Sequence, residues 1–336
     1  MTVTVVGGGL AGCEAALQLA QRGHEVRLLE MRPVRNTEAH QTGDLGELVC
    51  TNSFKSEGPE NAHGQLKREM RALGSVLLRS ADQSRVAAGS ALAVDRSLFS
   101  QAMTAAVEAE ARVRVVRGEC TELPEGPAII ATGPLTSDAL SGAIQTVLGD
   151  GGLAFFDAIA PIVHRDSVDE SVVFEAGRFD EDSDYLNCPM NEEEYVAFID
   201  ALNSGQAYEG HDWETVPYFE GCLPVEVMAS RGLDTLRFGP MKPIGLADPR
   251  TGNRPWAVVQ LRREDRAGQM WNMVGFQTRL RVGEQRRIFA MIPGLADAEF
   301  LRVGSIHRNS YLNFPERLSS YGAPASRPDV IFAGQL

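Results

Sequence analysis

The chain opens with alternating segments of hydrophobic and polar residues that predict a strand, a turn, a helix and a second strand. Thr2–Val6 is mostly β-branched, which is typical of a buried parallel strand. Residues 13–22 are rich in Ala, Leu and Gln, and this composition predicts a helix that ends at Gly23. The second strand is predicted over 24–29 and ends at the acidic residue Glu30.

The turn between the first strand and the helix has the spacing G-x-G-x-x-G at Gly7, Gly9 and Gly12. The first glycine permits a tight turn, the second lets the backbone approach a pyrophosphate, and the third lets the helix pack on the strand. The start of the helix offers free N–H groups to phosphates. Glu30 is positioned to accept hydrogen bonds from ribose hydroxyls. The alternative is a glycine-rich turn in another α/β protein.

The acid at Glu30 also bears on the choice of nucleotide. A carboxylate at the tip of the second strand disfavours a 2′-phosphate, so we expect FAD or NAD rather than NADP. Ala131-Thr132-Gly133 follows a predicted buried strand, an arrangement typical of flavoproteins with two dinucleotide folds. Gly133 and, after the final predicted strand over 330–333, Gly334 are therefore predicted to lie near the cofactor.

Further patterns place helices and strands between these segments. Apolar residues three and four positions apart predict one amphipathic helix over 65–80. Asp95 is predicted to cap a helix over 96–111. A strand is predicted over 155–163, where the regular alternation of strands and helices stops. Beyond it, Asn191 is predicted to cap another helix.

The predicted fold class is α/β, with a Rossmann-like FAD-binding domain of the two-dinucleotide-fold type and an α+β insertion domain. We assign residues 1–182 to the first part of the FAD-binding domain. Residues 183–300 form the predicted insertion domain on the substrate side, and residues 301–336 return to the first domain.

Composition restricts the number of domains, the cell compartment and the kinds of partner that we expect for the protein. At 336 residues the chain can form two domains, and it has no apolar run of the roughly 18 residues that a membrane helix needs. The sequence begins at the first strand, so no signal peptide is expected. Five cysteines without a C-x-x-C pair suit a reducing cytoplasm. We expect a cytoplasmic protein with no membrane partner, no metal site and no obligate protein partner.

The net charge of −13 hides an asymmetry along the chain. Residues 157–230 contain 18 acidic and 2 basic residues, whereas residues 231–317 contain 8 acidic and 15 basic residues. Such a division can form a basic face on an acidic protein. The alternative is that both segments are ordinary solvated surfaces.

A long polar connection over 31–64 follows the second strand. Its length predicts either a functional loop or disorder. Within it, Cys50 is surrounded by polar residues, and a nearby Lys55 or helix N-terminus would favour its thiolate. The alternative is a buried, inert cysteine on a short strand.

The segment LVCTNSFKSE over 48–57 resembles the flavin- and folate-dependent tRNA (uracil-5-)-methyltransferases of the TrmFO family. The resemblance extends along the whole chain, with further specific segments over 185–190, 219–222, 237–243, 272–278 and 307–309. In the family a glycine-rich turn and a helix follow the residues that correspond to 332–335 and help to close the flavin site. The resemblance predicts such a segment, which this sequence does not contain.

The resemblance implies FAD as cofactor, methylenetetrahydrofolate as one-carbon donor and NAD(P)H as reductant. The implied substrate is the T-loop uridine of tRNA (position 54), methylated at C5 to ribothymidine. Cys50 and Cys222 match the two functional cysteines of the family. Uracil C5 becomes reactive when a thiolate adds at C6. We expect Cys222 to add and Cys50 to assist, while the reverse assignment and simple packing roles stay open.

The positions of positive charge suggest contacts with the tRNA that the resemblance implies. Basic residues of the second half are candidates for tRNA phosphates, because backbone contact depends chiefly on positive charge; they are Lys242, Arg279, Arg281, Arg286 and Arg287. A solvated basic face is the alternative. His307 and Asn309 are predicted to line the cofactor cleft. The three remaining cysteines, Cys13, Cys120 and Cys188, are interpreted as structural.

Two other functions compete with this one. The first is another FAD-dependent tRNA-modifying oxidoreductase, acting on the wobble uridine, which should lack the segment over 219–222. The second is an inactive RNA-binding protein with little flavin, in which the nucleotide fold is only a scaffold.

Overall fold

The computed structural model describes residues 1–37, 39–148, 153–178, 184–208, 223–311 and 318–335. Its strands are β1 (Thr2–Val6), β2 (Glu25–Glu30), β3 (Ser53–Ser56), β4 (Arg85–Val86), β5 (Ala91–Val94), β6 (Val113–Arg117), β7 (Ala128–Ile130), β8 (Leu153–Ile159), β9 (Ile162–His164), β10 (Phe174–Glu175), β11 (Tyr185–Met190), β12 (Ala257–Arg263), β13 (Met270–Met273), β14 (Phe300–Arg302), β15 (Ser305–Tyr311) and β16 (Val330–Phe332). Its α-helices are α1 (Leu10–Gln21), α2 (Ala62–Ala72), α3 (Val76–Gln83), α4 (Arg96–Glu108), α5 (Asp138–Leu148), α6 (Glu192–Ser204), α7 (Val225–Ser230) and α8 (Val282–Phe289).

A five-stranded parallel sheet forms the first region, in the order β6-β2-β1-β7-β16. Successive strands run outward from β1 through β2 to β6, and then in the other direction through β7 to β16. The strand order therefore reverses between β1 and β7, which is the position where open α/β sheets bind ligands.

Hydrophobic side chains cover this sheet on both faces, as expected when successive residues of a strand point to opposite sides. Val5 packs in a core with α1, α3 and α4, where Phe99 and Met103 are fully buried. Val6 packs in the opposite core with Leu140 and Ile144 of α5. A small antiparallel sheet, β3-β5-β4, flanks the first of these cores.

The second region is a six-stranded antiparallel sheet in the order β10-β11-β12-β13-β9-β14. Helices α6, α7 and α8 pack on it through a core that includes Phe198, Phe276, Phe289 and Trp271. The ribbon formed by β8 and β15 connects the two regions in sequence. This architecture confirms the predicted α/β class with an α+β insertion. The antiparallel sheet takes its first strand from residue 162, and the division at residue 182 stays a prediction.

The structure corrects two predicted elements. The helix expected over 65–80 is two helices, because Gly74 adopts a positive φ of 79° and the side chain of Ser75 caps α3. The strand expected over 155–163 is interrupted at Pro161, which has no N–H to donate to a neighbouring strand.

Both predicted helix caps are confirmed. The Asp95 side chain accepts a hydrogen bond from the Leu98 N–H at 3.0 Å, and Asn191 forms a reciprocal capping box with Glu194.

Candidate functional site

The glycine turn after β1 shows why each of its glycines is there. Gly7 has a φ of 101°, and a Cβ at this position would lie 2.6 Å from the Ala131 carbonyl oxygen. A Cβ on Gly12 would overlap the Gly7 carbonyl oxygen. At Gly9, by contrast, a Cβ would meet no atom within 4 Å among the described residues. The first and third glycines are therefore needed because backbone atoms pack where a Cβ would lie. The second leaves open space at the start of α1.

Glu30 lies directly beneath this turn. Its Oε2 accepts a hydrogen bond from the Gly8 N–H at 2.7 Å, and its Oε1 accepts from the Arg32 backbone N–H and Nε at 2.9 Å each. Burial would raise the pKa of Glu30, but the hydrogen bonds and charge of Arg32 and the Gly8 N–H outweigh it, so the pKa is lowered. Glu30 is thus a fixed, ionised carboxylate.

A cleft opens at the carboxyl ends of β1, β2 and β7. It is lined by Gly7, Gly9 and Glu30 from one side and by Thr132 and Thr136 from the other. The cleft combines an open helix N-terminus, which suits an anion, with a buried carboxylate, which suits ribose hydroxyls. These groups fit the adenosine diphosphate portion of a dinucleotide.

Two more predicted glycines lie close to the turn or cleft. Gly133, with a φ of 68°, begins a short 3-10 helix directly after β7, next to the lining residue Thr132. Gly334, with a φ of 83°, follows β16, and a Cβ there would lie 2.8 Å from the Cβ of Ala11 in α1. The structure therefore brings the predicted glycines of both chain ends together.

Two cysteines are buried and unreactive in character. Burial raises the pKa of the Cys13 and Cys188 thiols to about 12 each. The Cys13 thiol also donates to the Gly8 carbonyl oxygen at 3.2 Å. Cys120 lines the cleft, and burial raises the pKa of its thiol as well. Cys222 and the segment over 219–222 lie outside the described residues.

The loop over 45–52, here called the Cys50 loop, packs on the glycine turn. The Gly46 N–H donates to the Gly8 carbonyl oxygen at 2.8 Å. Arg32 bridges Glu30 and Glu47, with its Nη1 2.8 Å from a Glu47 carboxylate oxygen. These contacts join the Cys50 loop to the glycine turn, and Cys50 lies only three residues beyond Glu47.

Arg96, at the start of α4, holds the first half of this loop. Its guanidinium donates to the Leu48 carbonyl oxygen at 2.7 Å and to the Cys50 carbonyl oxygen at 3.2 Å. The same guanidinium pairs with the fully buried Glu264 carboxylate at 2.6 Å. The charge of Arg96 is thus balanced by a neighbour.

Two arginines from the antiparallel sheet hold the rest of the loop. Arg262 of β12 donates to Thr51 Oγ1 at 2.9 Å and to Asn52 Oδ1 at 3.1 Å. Arg302 of β14 donates to the Val49 carbonyl oxygen at 3.3 Å. Sequence reasoning missed these residues because they lie up to 253 positions away along the chain. It considered Lys55 instead, which is exposed and has a φ of 65°.

Three of the candidate tRNA-binding arginines share one element. Arg281 is the N-terminal cap of α8, and Arg286 and Arg287 lie in its last turn; all three are exposed. Arg287 pairs with Glu284 at 2.6 Å. The basic cluster predicted from sequence is therefore an exposed helix surface.

The other candidates are more dispersed. The backbone N–H of Arg279 donates to the buried Glu226 carboxylate at 2.9 Å, so this residue also supports the local structure. Lys242 is exposed on the segment before β12. His307 and Asn309 lie on β15 opposite residues 157 and 155 of β8, and their side chains are outside the described part.

Within the described part of the chain, no helix is long and apolar enough to cross a membrane. The same residues contain no group of three or more His, Cys, Asp or Glu side chains that could hold a metal ion.

The parallel sheet, its glycine turn and the cleft where the strand order reverses define a nucleotide-binding protein of the Rossmann-like α/β class. A family model described as glucose inhibited division protein A matches residues 2–336. The solved structure of Aquifex aeolicus GidA (form II crystal) has the same fold, with a TM-score of 0.71 at 14% identity. This match covers 99% of our chain and 59% of that structure.

Closer relatives carry the name "Methylenetetrahydrofolate--tRNA-(uracil-5-)-methyltransferase TrmFO". The protein of that name from Koribacter versatilis is 54% identical over 339 residues, covering 100% of our chain and 76% of the relative. The one from Rubrobacter xylanophilus is 56% identical, covering 99% and 75%. The chain therefore belongs to the glucose inhibited division protein A family and, within it, to the TrmFO group.

Proposed function

We propose that the protein uses FAD and methylenetetrahydrofolate to methylate C5 of the T-loop uridine of tRNA, with NAD(P)H as reductant. The observation that carries this proposal is the 54–56% identity to TrmFO enzymes over 99–100% of the chain. The alternative of a wobble-uridine enzyme has less support, because the relatives that share 54–56% identity with the chain are named as tRNA (uracil-5-)-methyltransferases. The proposal includes a location in the cytoplasm, because tRNA is modified there.

The residues of the cleft fit FAD. The open backbone at Gly9 and the N-terminus of α1 would receive the pyrophosphate, and Glu30 would accept from the ribose hydroxyls. Gly133 and Gly334 would let the chain pass close to the cofactor. When bound, FAD supplies the electrons that turn a transferred methylene into a methyl group.

Two cysteines carry the covalent chemistry in this proposal. The Cys222 thiolate adds to C6 of uracil, which makes C5 nucleophilic, and Cys50 assists as an acid or base. Two observations support the assisting role of Cys50. Its side chain is half-buried, and the loop that carries it accepts hydrogen bonds from three guanidinium groups. The reverse assignment, in which Cys50 adds to C6 and Cys222 assists, is the alternative within this proposal, and it predicts the same loss of activity when either cysteine is replaced.

The basic surface of α8 would bind the tRNA T-arm through phosphates. Arg281, Arg286 and Arg287 are exposed there, and Arg279 precedes them. Lys242, His307 and Asn309 complete the proposed substrate contacts.

The test is methyl incorporation into tRNA by the purified chain, preceded by an absorption spectrum after FAD is added. We expect a bound flavin band, activity in the wild type and its loss in Cys222→Ala and Cys50→Ala. Cys188→Ala is the matched control, because this thiol is buried in the core of the second region and should leave turnover intact.

Two outcomes would count against the proposal. Unchanged turnover in Cys222→Ala would eliminate the mechanism. A colourless protein that binds tRNA in a salt-dependent manner would favour the flavin-poor RNA-binding alternative.

A further inference from the structure

We propose that the segment over 233–244, here called the Phe238 turn, binds an unpaired nucleotide of the tRNA substrate. In this proposal the base stacks on the Phe238 ring, and a neighbouring phosphate pairs with the Lys242 ammonium. The inference rests on the proposed function, because it takes tRNA to be the substrate, and it deepens that function by assigning a base contact to a named side chain.

The Phe238 turn exposes several apolar side chains to solvent. Phe238 is 74% exposed, Leu233 is 50% exposed and Ile244 is 39% exposed. The Phe238 N–H donates to the Asp234 carbonyl oxygen at 3.1 Å, so the ring is carried on the same tight turn as Leu233. Apolar side chains exposed together in one turn indicate a surface that contacts another molecule.

The backbone of this turn is fixed to the antiparallel sheet. Met241 is fully buried, its N–H donates to the Leu236 carbonyl oxygen at 2.8 Å, and its carbonyl oxygen accepts from the Val258 N–H of β12 at 3.0 Å. Pro240 packs so closely on Gly275 that a Cβ there would lie 2.5 Å from the Pro240 Cβ. The exposure of the ring is therefore a feature of a well-anchored turn.

Two arginines also hold the turn in place. The Arg237 guanidinium lies over the Trp256 ring, 3.8 Å from the centroid, and its Nε donates to the Trp256 carbonyl oxygen at 2.9 Å. Arg178, which follows β10, donates to the carbonyl oxygens of Lys242 and Ile244, the latter at 3.0 Å. A turn that is held in one conformation loses less conformational entropy when it binds, so it suits recognition.

The charge of the turn favours a nucleic acid. From residue 235 to residue 244 the sequence contains two basic residues and no Asp or Glu. Lys242 is exposed, and its backbone N–H donates to the Gly239 carbonyl oxygen at 3.2 Å, which keeps it close to the residue that follows Phe238. An aromatic ring with a cation nearby matches a nucleotide, whose base stacks and whose phosphate is negative.

Other occupants fit this surface less well. A small molecule is bound in a concave site that buries most of its surface, whereas the Phe238 ring is 74% exposed. Lysine is depleted in interfaces between proteins. The bases of a duplex are already stacked on each other, so the free face of a base that the ring needs is found in an unpaired nucleotide. We therefore assign the turn to an unpaired part of the tRNA.

The test is the affinity of the full 336-residue chain, with FAD present, for two RNA probes. One is a T-arm hairpin transcript, which has an unpaired loop, and the other is a fully paired duplex of the same length. We expect the wild type to prefer the hairpin. Phe238→Ala should weaken hairpin binding about tenfold and leave duplex binding unchanged. Phe238→Trp, which keeps a stacking face, should bind like the wild type, whereas Phe238→Leu should bind like Phe238→Ala.

Tyr321→Ala is the matched control, because Tyr321 is 83% exposed and its loss also removes an exposed aromatic ring. This variant should bind both probes like the wild type. A salt series separates the two proposed contacts. Lys242→Gln should reduce the slope of log affinity against log salt by about one, whereas Phe238→Ala should leave the slope unchanged, since stacking releases no counter-ions. Thermal melting of each variant checks that it folds.

Three results would overturn the inference. The first is equal hairpin affinity in the wild type and Phe238→Ala, and the second is a wild type that binds hairpin and duplex equally. The third is wild-type binding by Phe238→Leu, which would mean that the ring makes a simple apolar contact.

Sedimentation of the wild type and Phe238→Ala tests a second copy of the chain as the occupant. We expect the same sedimentation for both, and a dimer that dissociates in the variant would assign the turn to an interface between copies. Binding requires neither folate nor turnover. A chain that binds the hairpin through Phe238 but does not methylate tRNA would contradict the proposed function alone, and a chain that methylates tRNA but shows no effect of Phe238→Ala on hairpin binding would contradict this inference alone.

Discussion

The glycine turn and the Cys50 loop touch each other, yet they are built in opposite ways. The turn is a continuous piece of chain whose shape follows from backbone sterics, since Gly7 and Gly12 have no room for a Cβ. The Cys50 loop is held by side chains from α4, β12 and β14. One structure depends on close approach of backbone atoms, and the other depends on buried charge. The two should therefore respond differently to mutation, pH and salt.

The largest effect is expected in the turn. Gly12→Ala places a methyl group on the Gly7 carbonyl oxygen, so the backbone must move, and we expect a loss of about 3 kcal/mol or more in unfolding free energy. Gly9→Ala has open space and should unfold like the wild type while binding FAD more weakly. Urea denaturation and flavin titration of both variants measure this difference. Equal stability of the two variants would contradict the division of roles among the glycines.

The next effect concerns the junction of the Cys50 loop with the second region. Asn52 is fully buried, donates to the carbonyl oxygens of Val94 and Arg263, and accepts from Arg262. Asn52→Ala leaves these groups without a partner and should cost about 3 kcal/mol in urea denaturation.

Asn61→Ala is the comparison for this prediction. It removes an N-terminal cap of α2 at a less buried site, and should cost only about 1 kcal/mol. If the two substitutions cost the same, the junction does not depend on Asn52.

A smaller effect, which depends on pH, is expected at Glu30. Its folded-state pKa is lowered, so its ionised form stabilises the fold above the ordinary glutamate value of about 4.3, and this contribution is lost as the pH falls through the folded-state pKa. Glu30→Gln should cost about 2 kcal/mol at pH 7. The difference from the wild type should shrink toward pH 3 in denaturation measured across this range. A difference that is constant with pH would mean that Arg32 does not stabilise the carboxylate.

The smallest effect is expected on the exposed surface of α8. Arg286→Gln should weaken tRNA binding uniformly and reduce the slope of log affinity against log salt by about one. Arg22→Gln, an exposed residue at the end of α1, is the control and should leave the slope unchanged. Filter binding across a salt series measures both. Identical slopes for Arg286→Gln and the wild type would remove Arg286 from the proposed interface.

Local patterns were sufficient for much of the fold. β1 occupies the predicted residues, and the caps at Asp95 and Asn191 are where the sequence places them, because a cap depends on contacts within one turn. The single helix expected over 65–80 was wrong because apolar spacing continues across the break at Gly74, where the backbone conformation changes. Periodicity reports which face is buried, and it does not report a short interruption.

The sequence by itself determined the glycine turn, the acid at the end of β2 and, through its similarity to TrmFO enzymes, the family. These features are encoded in residues that are close together or in long matching segments. Only the tertiary structure decided what surrounds Cys50. Hydrogen bonds and charges act through space over a few ångströms, and Arg262 and Arg302 reach the Cys50 loop only after the two sheets have packed together.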